Sequence, residues 1–334
     1  MPLVSMRQVL DEAAAGGYGV GAFNVSNMEQ LQAVMEAADR TRSPVIVAVS
    51  RAGRAYAGDR FLIHLVRAAV ELYPDLPVAL HQDHGNSAET CFSAIELGFT
   101  SVMMDGSLAE DGTTPADFEY NVDVTRAVVE RAHAVGVTVE GELGTIGGIE
   151  DGHGSGRAQL TDPDQAVEFV ERTGVDALAV AIGTSHGAYK FSQRPTGDVL
   201  AMDVVERIHD KLPHLHLVMH GSSSVPRELV DRINEFGGDI RPTWGVPVEE
   251  IQRGIRHGVR KINVETDARL AATGAIRQVL FERRGEFEPR TYFAAAREAM
   301  RAIYEERMTQ FGQAGHAHDY APASLDEMAE LYPR

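Results

Sequence analysis

Val78-Ala79-Leu80-His81-Gln82-Asp83-His84-Gly85 is the stretch whose reading decides the fold. The apolar run 78–80, behind Asp75, Leu76 and Pro77, predicts a short buried strand. It ends abruptly in two histidines, a carboxylate and a glycine. Apolar side chains bury a strand; His, Asp and His do not, and a strand that breaks its pattern at its C-terminal end commonly does so for chemistry. Taken alone, the stretch reads equally well as a polar strand end with one satisfied histidine.

Working outward, seven more apolar runs have the same character: 19–25, 45–49, 101–104, 137–142, 177–182, 217–220 and 261–264. Amphipathic helical patterns lie between them, over 28–38, 60–72, 87–97, 115–134, 163–173, 201–212 and 226–236, with a short one over 248–257 before the last run. Pro115, Pro163 and Pro226 fall in expected first helical turns, where proline is tolerated. Eight continuous apolar strands alternating with helices imply a parallel sheet covered on both faces. Closed on itself, that sheet is an α/β (β/α)8 TIM barrel. The expected organisation is one barrel domain over 1–334, with 285–334 as a C-terminal helical extension containing a helix over 290–311. The Gly-rich stretch 144–156 reads as a long βα loop rather than a linker. A doubly wound open sheet is the alternative, but no GxGxxG fingerprint accompanies it.

The 334 residues are 44% hydrophobic and 24% charged, which suits a large buried core. No apolar run approaches the roughly 18 residues of a membrane span. The start, Met1 to Arg7, lacks a basic, then apolar, leader pattern, so a cytoplasmic location is expected. A net charge of −18 argues against nucleic acid or anionic membrane as partners. The single Cys91 excludes an intrachain disulfide and a multi-cysteine metal site, and its helical setting predicts a packed apolar residue.

In such a barrel the site forms at the C-terminal strand ends. The third run ends in Asp83 and His84, the fourth in Asp105, the fifth in Glu142, the sixth in Gly183 to Gly187 with His186, the seventh in His220, and the eighth in Asn263 to Asp267. Three histidines converging from three strands suit a divalent metal with open positions. His84, His186 and His220 are the candidate ligands, and His81 is the weaker choice. Asp105 and Glu142 suit orienting roles behind the imidazoles. The Gly-Ser loop over 221–226 and the loop 183–187, with Lys190 close behind, suit phosphate. Asp83 is placed to move a proton, and Glu150 to reach the site on a closing loop; composition alone reads Glu150 as a solvated carboxylate.

These segments together resemble the class II, metal-dependent fructose-1,6-bisphosphate aldolases, nearest to the subtype of Calvin-cycle bacteria. The likeness runs nearly end to end, through 21–25, 80–85, 101–107, 139–144, 181–191, 218–226 and 261–267. It implies that His84, His186 and His220 hold Zn2+ or another divalent ion such as Co2+, Mn2+ or Fe2+, and it admits a monovalent cation beside it. It implies Asp83 as the acid/base at the C4 hydroxyl and Glu150 as the group exchanging the C3 proton of dihydroxyacetone phosphate. Gly187, Lys190, Gly221, Ser223 and Thr266 match that triose's phosphate site, and Asn263 its polar backbone. Asn24, Ser50 and Arg269 match contacts to the aldehyde half. Arg290, in Phe287-Glu288-Pro289-Arg290, matches a segment that reaches a neighbouring subunit, which implies a homodimer or homotetramer. Glu265 and Glu288 stand where the family carries Asp, Ile149 stands where some relatives carry Glu, and the loop after Glu150 is shorter. Glu265 and Glu288 lie in substrate-contact segments, so tagatose 1,6-bisphosphate or another ketose phosphate is the alternative to the fructose ester. A metal-dependent hydrolase barrel would carry His-x-His on its first strand, and Phe23-Asn24-Val25 has none. A Schiff-base aldolase on Lys190 or Lys261 would leave three histidines without a role. A sugar-phosphate sensor would not need Asp83 and Glu150. The pathway implied is glycolysis, gluconeogenesis or the Calvin cycle.

Overall fold

The computed structural model describes residues 3–148, 158–195 and 198–332. In chain order the elements are α1 (Met6–Gly16), β1 (Val20–Asn24), α2 (Met28–Thr41), β2 (Val45–Ser50), α3 (Arg51–Ala57), α4 (Asp59–Leu72), β3 (Val78–Gly85), α5 (Ala88–Leu97), β4 (Ser101–Met104) and α6 (Phe118–His133). They continue with β5 (Thr138–Leu143), α7 (Pro163–Thr173), β6 (Ala177–Val180), α8 (Met202–Lys211), β7 (His216–Met219), α9 (Arg227–Glu235), α10 (Val248–Arg256), β8 (Val259–Val264), α11 (Thr266–Glu282), α12 (Pro289–Gln310) and α13 (Leu325–Glu330). The strands form a closed parallel barrel in sequence order, β1 to β8, with β8 pairing back onto β1 through Val20 and Lys261. This is the (β/α)8 fold expected from the eight apolar runs.

Two apolar layers follow from the two-residue period of the strands. Val78 and Leu80 of β3, Val139 and Leu143 of β5, and Ile262 and Val264 of β8 join the core between strands and outer helices. Ala22, Ala48, Ala79, Ala177, Ala179 and Val218 form a second, inner cluster with Val4, Met6, Val9 and Leu10, so α1 seals the lower end of the lumen. Continuing each inward row by steps of two brings Asn24, Ser50, His81 and Asp83, Glu140 and Glu142, His220, and Lys261 and Asn263 into the upper lumen. The larger side chains of α1 and its lead-in fill the space that the small inner alanines leave, and the polar rows crown them.

Helix boundaries follow their caps. Ser5, Asn27, Ser87 and Asp162 each accept a backbone N–H of the helix that follows. Pro163 lies in the first turn of α7. Pro115 does not open a helix. Asp111 accepts from Thr113 and Thr114 to form a turn, Leu108 pairs with Pro115, and Asp117 caps α6 at Phe118 through Tyr120 N at 2.8 Å. Pro226 occupies the cap of α9 rather than its first turn. The short α3, capped by Ser50 through Gly53 N at 3.1 Å, was not expected.

Candidate active site

β3 runs past its apolar part to Gly85, so the polar residues are themselves strand. Asp83 and His84 are adjacent yet both reach the mouth, because the pairing with β4 shifts register between Gln82 and Gly85. His84 takes φ 48° there, a conformation disfavoured for a side-chain-bearing residue and tolerated at such bulges. Gly85 must be glycine: a Cβ would meet Met103 O at 2.6 Å. Gly221, at φ 61°, lets its loop lie against the backbone of Ser185, 2.7 Å from where its Cβ would be, which brings the ends of β6 and β7 together. His186 N donates to Gly147 O at 2.8 Å, joining the β5 and β6 loops.

The three imidazoles converge. The ring centre of His84 lies 4.6 Å from that of His220 and 5.1 Å from that of His186, while His186 and His220 are 6.2 Å apart. His84 Nδ1 is 3.1 Å from Asp105 Oδ2, and Asp105 Oδ1 accepts from Ser107 Oγ at 2.7 Å. His220 Nε2 is 2.8 Å from Glu140 Oε1. These carboxylates take one ring proton each and turn His84 Nε2 and His220 Nδ1 toward one another at 3.0 Å. Glu142 lies behind, its Oε1 3.3 Å from Ser107 Oγ.

Asp83 is fixed from several sides. Asn24 Nδ2 donates to its Oδ2 at 2.9 Å, and Asn263 Nδ2 lies 3.1 Å from both oxygens. Lys261 Nζ is 3.7 Å from Oδ1. Burial opposes the charge of Asp83, but His84, Lys261, His220 and His81 outweigh it and hold its carboxyl well below the usual range. Burial likewise opposes a charged His84, yet Asp83, Asp105 and Glu142 push it up to about 10. Burial, then Lys261 and His84, push His220 well down. Burial and the neighbouring Asp105 push Glu142 well up.

The cavity at this mouth measures about 20 Å3 and is lined by Asn24, Ser50, Asp83, His84, His186, His220, Gly221, Ser223, Asn263 and Glu265. A pocket of about 240 Å3 shares Asn24, Ser50 and Glu265 and adds Arg269, which pairs with Glu265. Lys190 Nζ donates to Ser185 O, and Gly187 lies in the same β6 loop. Thr266 opens α11 beside Glu265. Arg290 is not brought to the mouth in this chain; it is exposed and pairs with Glu288 at 2.7 Å. Glu150 and Ile149 lie outside the described residues. A cavity of about 1290 Å3 at the opposite end, lined by Arg7, His133, Asp176 and Tyr332 among others, contains none of the converging histidines.

Two buried charged residues to which sequence reasoning gave no role, Glu140 and Lys261, hold this arrangement, together with His81, the weaker ligand choice. Glu140 bridges His220 and Lys261, with Lys261 Nζ 2.8 Å from Oε2. His81 sits beneath Asp83 with Nδ1 2.8 Å from Ser101 Oγ, and burial and Lys261 lower its pKa to about 3. The signal was present in the pattern: Glu140 and Lys261 interrupt apolar runs on the inward face, and a buried charge requires a partner.

Residues 4–316 match the family described as fructose-bisphosphate aldolase class-II. The chain belongs to the class II fructose-bisphosphate aldolase family. It is 58% identical to "Fructose-bisphosphate aldolase" of Xanthobacter flavus, covering 99% of this chain and 97% of that one. It is 57% identical to the protein of the same name from Pseudomonas aeruginosa, covering 100% and 98%. Among solved structures, the YdjI aldolase of Escherichia coli K12 superposes with a TM-score of 0.74 at 30% identity, over 94% of this chain and 99% of that one.

Class II aldolases depend on a metal, and the donors here fit one. Once Asp105 and Glu140 have oriented His84 and His220, two imidazole nitrogens face each other at 3.0 Å. Neutral rings would then oppose lone pairs, so the pair is favourable only with a proton or a cation shared between them. The donor atoms of Asp83, His84 and His220 lie within 4.8 Å of one another, as do those of His84, Asp105 and Glu142. The His186 ring stands further off.

Proposed function

We propose that the chain catalyses the reversible aldol cleavage of fructose 1,6-bisphosphate to dihydroxyacetone phosphate and glyceraldehyde 3-phosphate. The observation that carries this is the convergence of His84, His186 and His220 around the ionised Asp83 at the barrel mouth. His84, His186 and His220 would hold the divalent ion, zinc by preference for this donor set. When bound, the ion supplies a Lewis acid for the ketose carbonyl. Asp83, kept charged and aimed by Asn24 and Asn263, takes the proton of the C4 hydroxyl as the C3–C4 bond breaks. Glu150 returns a proton to C3 of the departing triose. Gly187, Lys190, Gly221, Ser223 and Thr266 bind the phosphate of the dihydroxyacetone half, and Asn263 its polar backbone. Asn24, Ser50, Glu265 and Arg269 take the aldehyde half. The names of the relatives favour the fructose ester over its tagatose epimer.

On this reading the chain acts as one barrel unit, 1–334, extended by 285–334, in the cytoplasm, within glycolysis, gluconeogenesis or carbon fixation. Among the described residues no helix is long and apolar enough to cross a membrane. Phe287 is 88% exposed beside Arg290, which supports a homodimer or homotetramer in which that segment is covered. Cleavage of the fructose and tagatose bisphosphates by the metal-loaded protein is the test. Preference for the fructose ester, abolished by chelator, is expected. Equal rates on the two epimers, or activity that survives chelation, defeat the proposal.

A further inference from the structure

The loop after β7 is shaped by a pair of residues outside the mouth. Asp267, in the first turn of α11, is fully buried. Its Oδ1 accepts from Val225 N at 2.8 Å and its Oδ2 from Ser224 N at 3.2 Å. Val225 has φ 47°, a left-handed conformation that a β-branched residue adopts only when its surroundings impose it. Arg307, on α12, grips the same Asp267 Oδ2 through Nε at 3.1 Å and Nη2 at 3.0 Å, with its side chain 2% exposed. On the loop's other side Val246 N donates to Ser223 O at 3.1 Å. The segment 223–225 is therefore held in one shape from both sides.

We propose that Asp267 and Arg307 are positioning residues for phosphate recognition by the β7 loop. This rests on the reading of Gly221 and Ser223 as phosphate contacts. Asp267 fixes the backbone by taking two of the loop's N–H groups, but its negative charge lies beneath a loop that must attract an anion. Arg307 cancels that charge while anchoring the carboxylate. The C-terminal extension thereby acts on the mouth through one buried guanidinium that never meets substrate.

The test measures KM, kcat and bound metal for Arg307→Met, Arg307→Lys, Asp267→Asn/Arg307→Met and Ser223→Ala in the metal-loaded protein. Arg307→Met should raise KM for fructose 1,6-bisphosphate roughly tenfold, the scale of one charged hydrogen bond, with metal content unchanged and kcat within about threefold. Arg307→Lys should recover part of the loss, and the double variant should bind better than Arg307→Met because the uncompensated charge is gone. If Ser223→Ala raises KM while Arg307→Met and Arg307→Lys leave it unchanged, the pair is merely structural and the inference is wrong. If Ser223→Ala leaves KM unchanged, the phosphate reading fails and this inference falls with it. Should Arg307→Met not fold, Arg307→Lys decides the matter, since it keeps a charge without the two-pronged grip.

Discussion

Replacing Lys261 with Met should show how far the metal centre depends on a residue that does not touch it. Lys261 is fully buried, 2.8 Å from Glu140 and 3.7 Å from Asp83. At an effective dielectric of 20 these separations correspond to gross attractions of about 6 and 4 kcal/mol. Most of that offsets the cost of stripping water from the ions, but removing one partner of a buried pair typically costs about 3–5 kcal/mol. A domain stable by roughly 5–15 kcal/mol should still fold, with a lowered midpoint in urea. The second effect is specific. Glu140 without its cation loses the partner that holds its Oε2, so the carboxylate no longer sits fixed against His220 Nε2. The His220 ring proton is then no longer held on Nε2 and away from Nδ1, the nitrogen that faces His84. Zinc affinity, read by competition with a chromogenic chelator, should fall by about 10- to 100-fold, the range for losing a partner that orients a ligand. Adding Glu140→Gln to Lys261→Met should restore much of the stability but not the affinity, since the amide still cannot enforce the tautomer. Unchanged zinc affinity in a clearly destabilised Lys261→Met protein would refute the chain of reasoning from Lys261 through Glu140 to His220.

Three further outcomes are expected. In the metal-free protein His84 is pushed up to about 10, so near neutral pH it must lose a proton before it can bind an ion. Calorimetric titration in buffers of different ionisation heat should therefore report about one proton released per ion, with affinity rising as pH rises toward 10; release of none would contradict the shift. The same raised pKa stabilises the metal-free fold fully below about pH 6.5, a contribution lost as pH climbs through 10. Gly221→Ala places a methyl 2.7 Å from Ser185 at φ 61° and should separate the β6 and β7 loops; we expect cleavage to fall by two orders of magnitude or so, the scale of an ångström's misplacement, in a protein that remains folded by circular dichroism. Tyr332→Ala removes a ring stacked 3.6 Å from His133 at the opposite end of the barrel, and should cost about 3 kcal/mol in urea while leaving kcat per active molecule unchanged.

The barrel was legible because its outer row is mainly apolar: Val78 and Leu80 pack against the helices. The inner row was read less well. The run at 78–80 was ended before His81, whereas β3 continues to Gly85, since strand there is maintained by pairing with β2 rather than by apolar content. The converging histidines were visible through their shared place at strand ends. Glu140 and Lys261 were not, because their meaning lies in a contact between residues 121 positions apart, which only barrel closure creates. Pro115 misled because it is held in a bridge with Leu108 in the loop before α6, and the helix starts only at the Asp117 cap that follows.

The seal at the lower end of the barrel has a consequence for biosynthesis. Tyr18 shares a 2.8 Å hydrogen bond with Tyr320, 302 positions later, and Gly21 N donates at 2.6 Å to Gln313, whose amide also holds Pro44 O at 2.8 Å. The first two strands are thus stapled by residues 292 and 302 positions further along the chain. At about 5–20 residues per second, β1 emerges roughly 15–60 s before those residues exist. Until Val259–Val264 are made one edge of β1 has no β8 to pair with, and until Gln313 and Tyr320 follow the seal over the lumen is incomplete. A ribosome that stalls before β8 is made would hold an open sheet with an unpaired edge, the kind of species that recruits chaperones or aggregates.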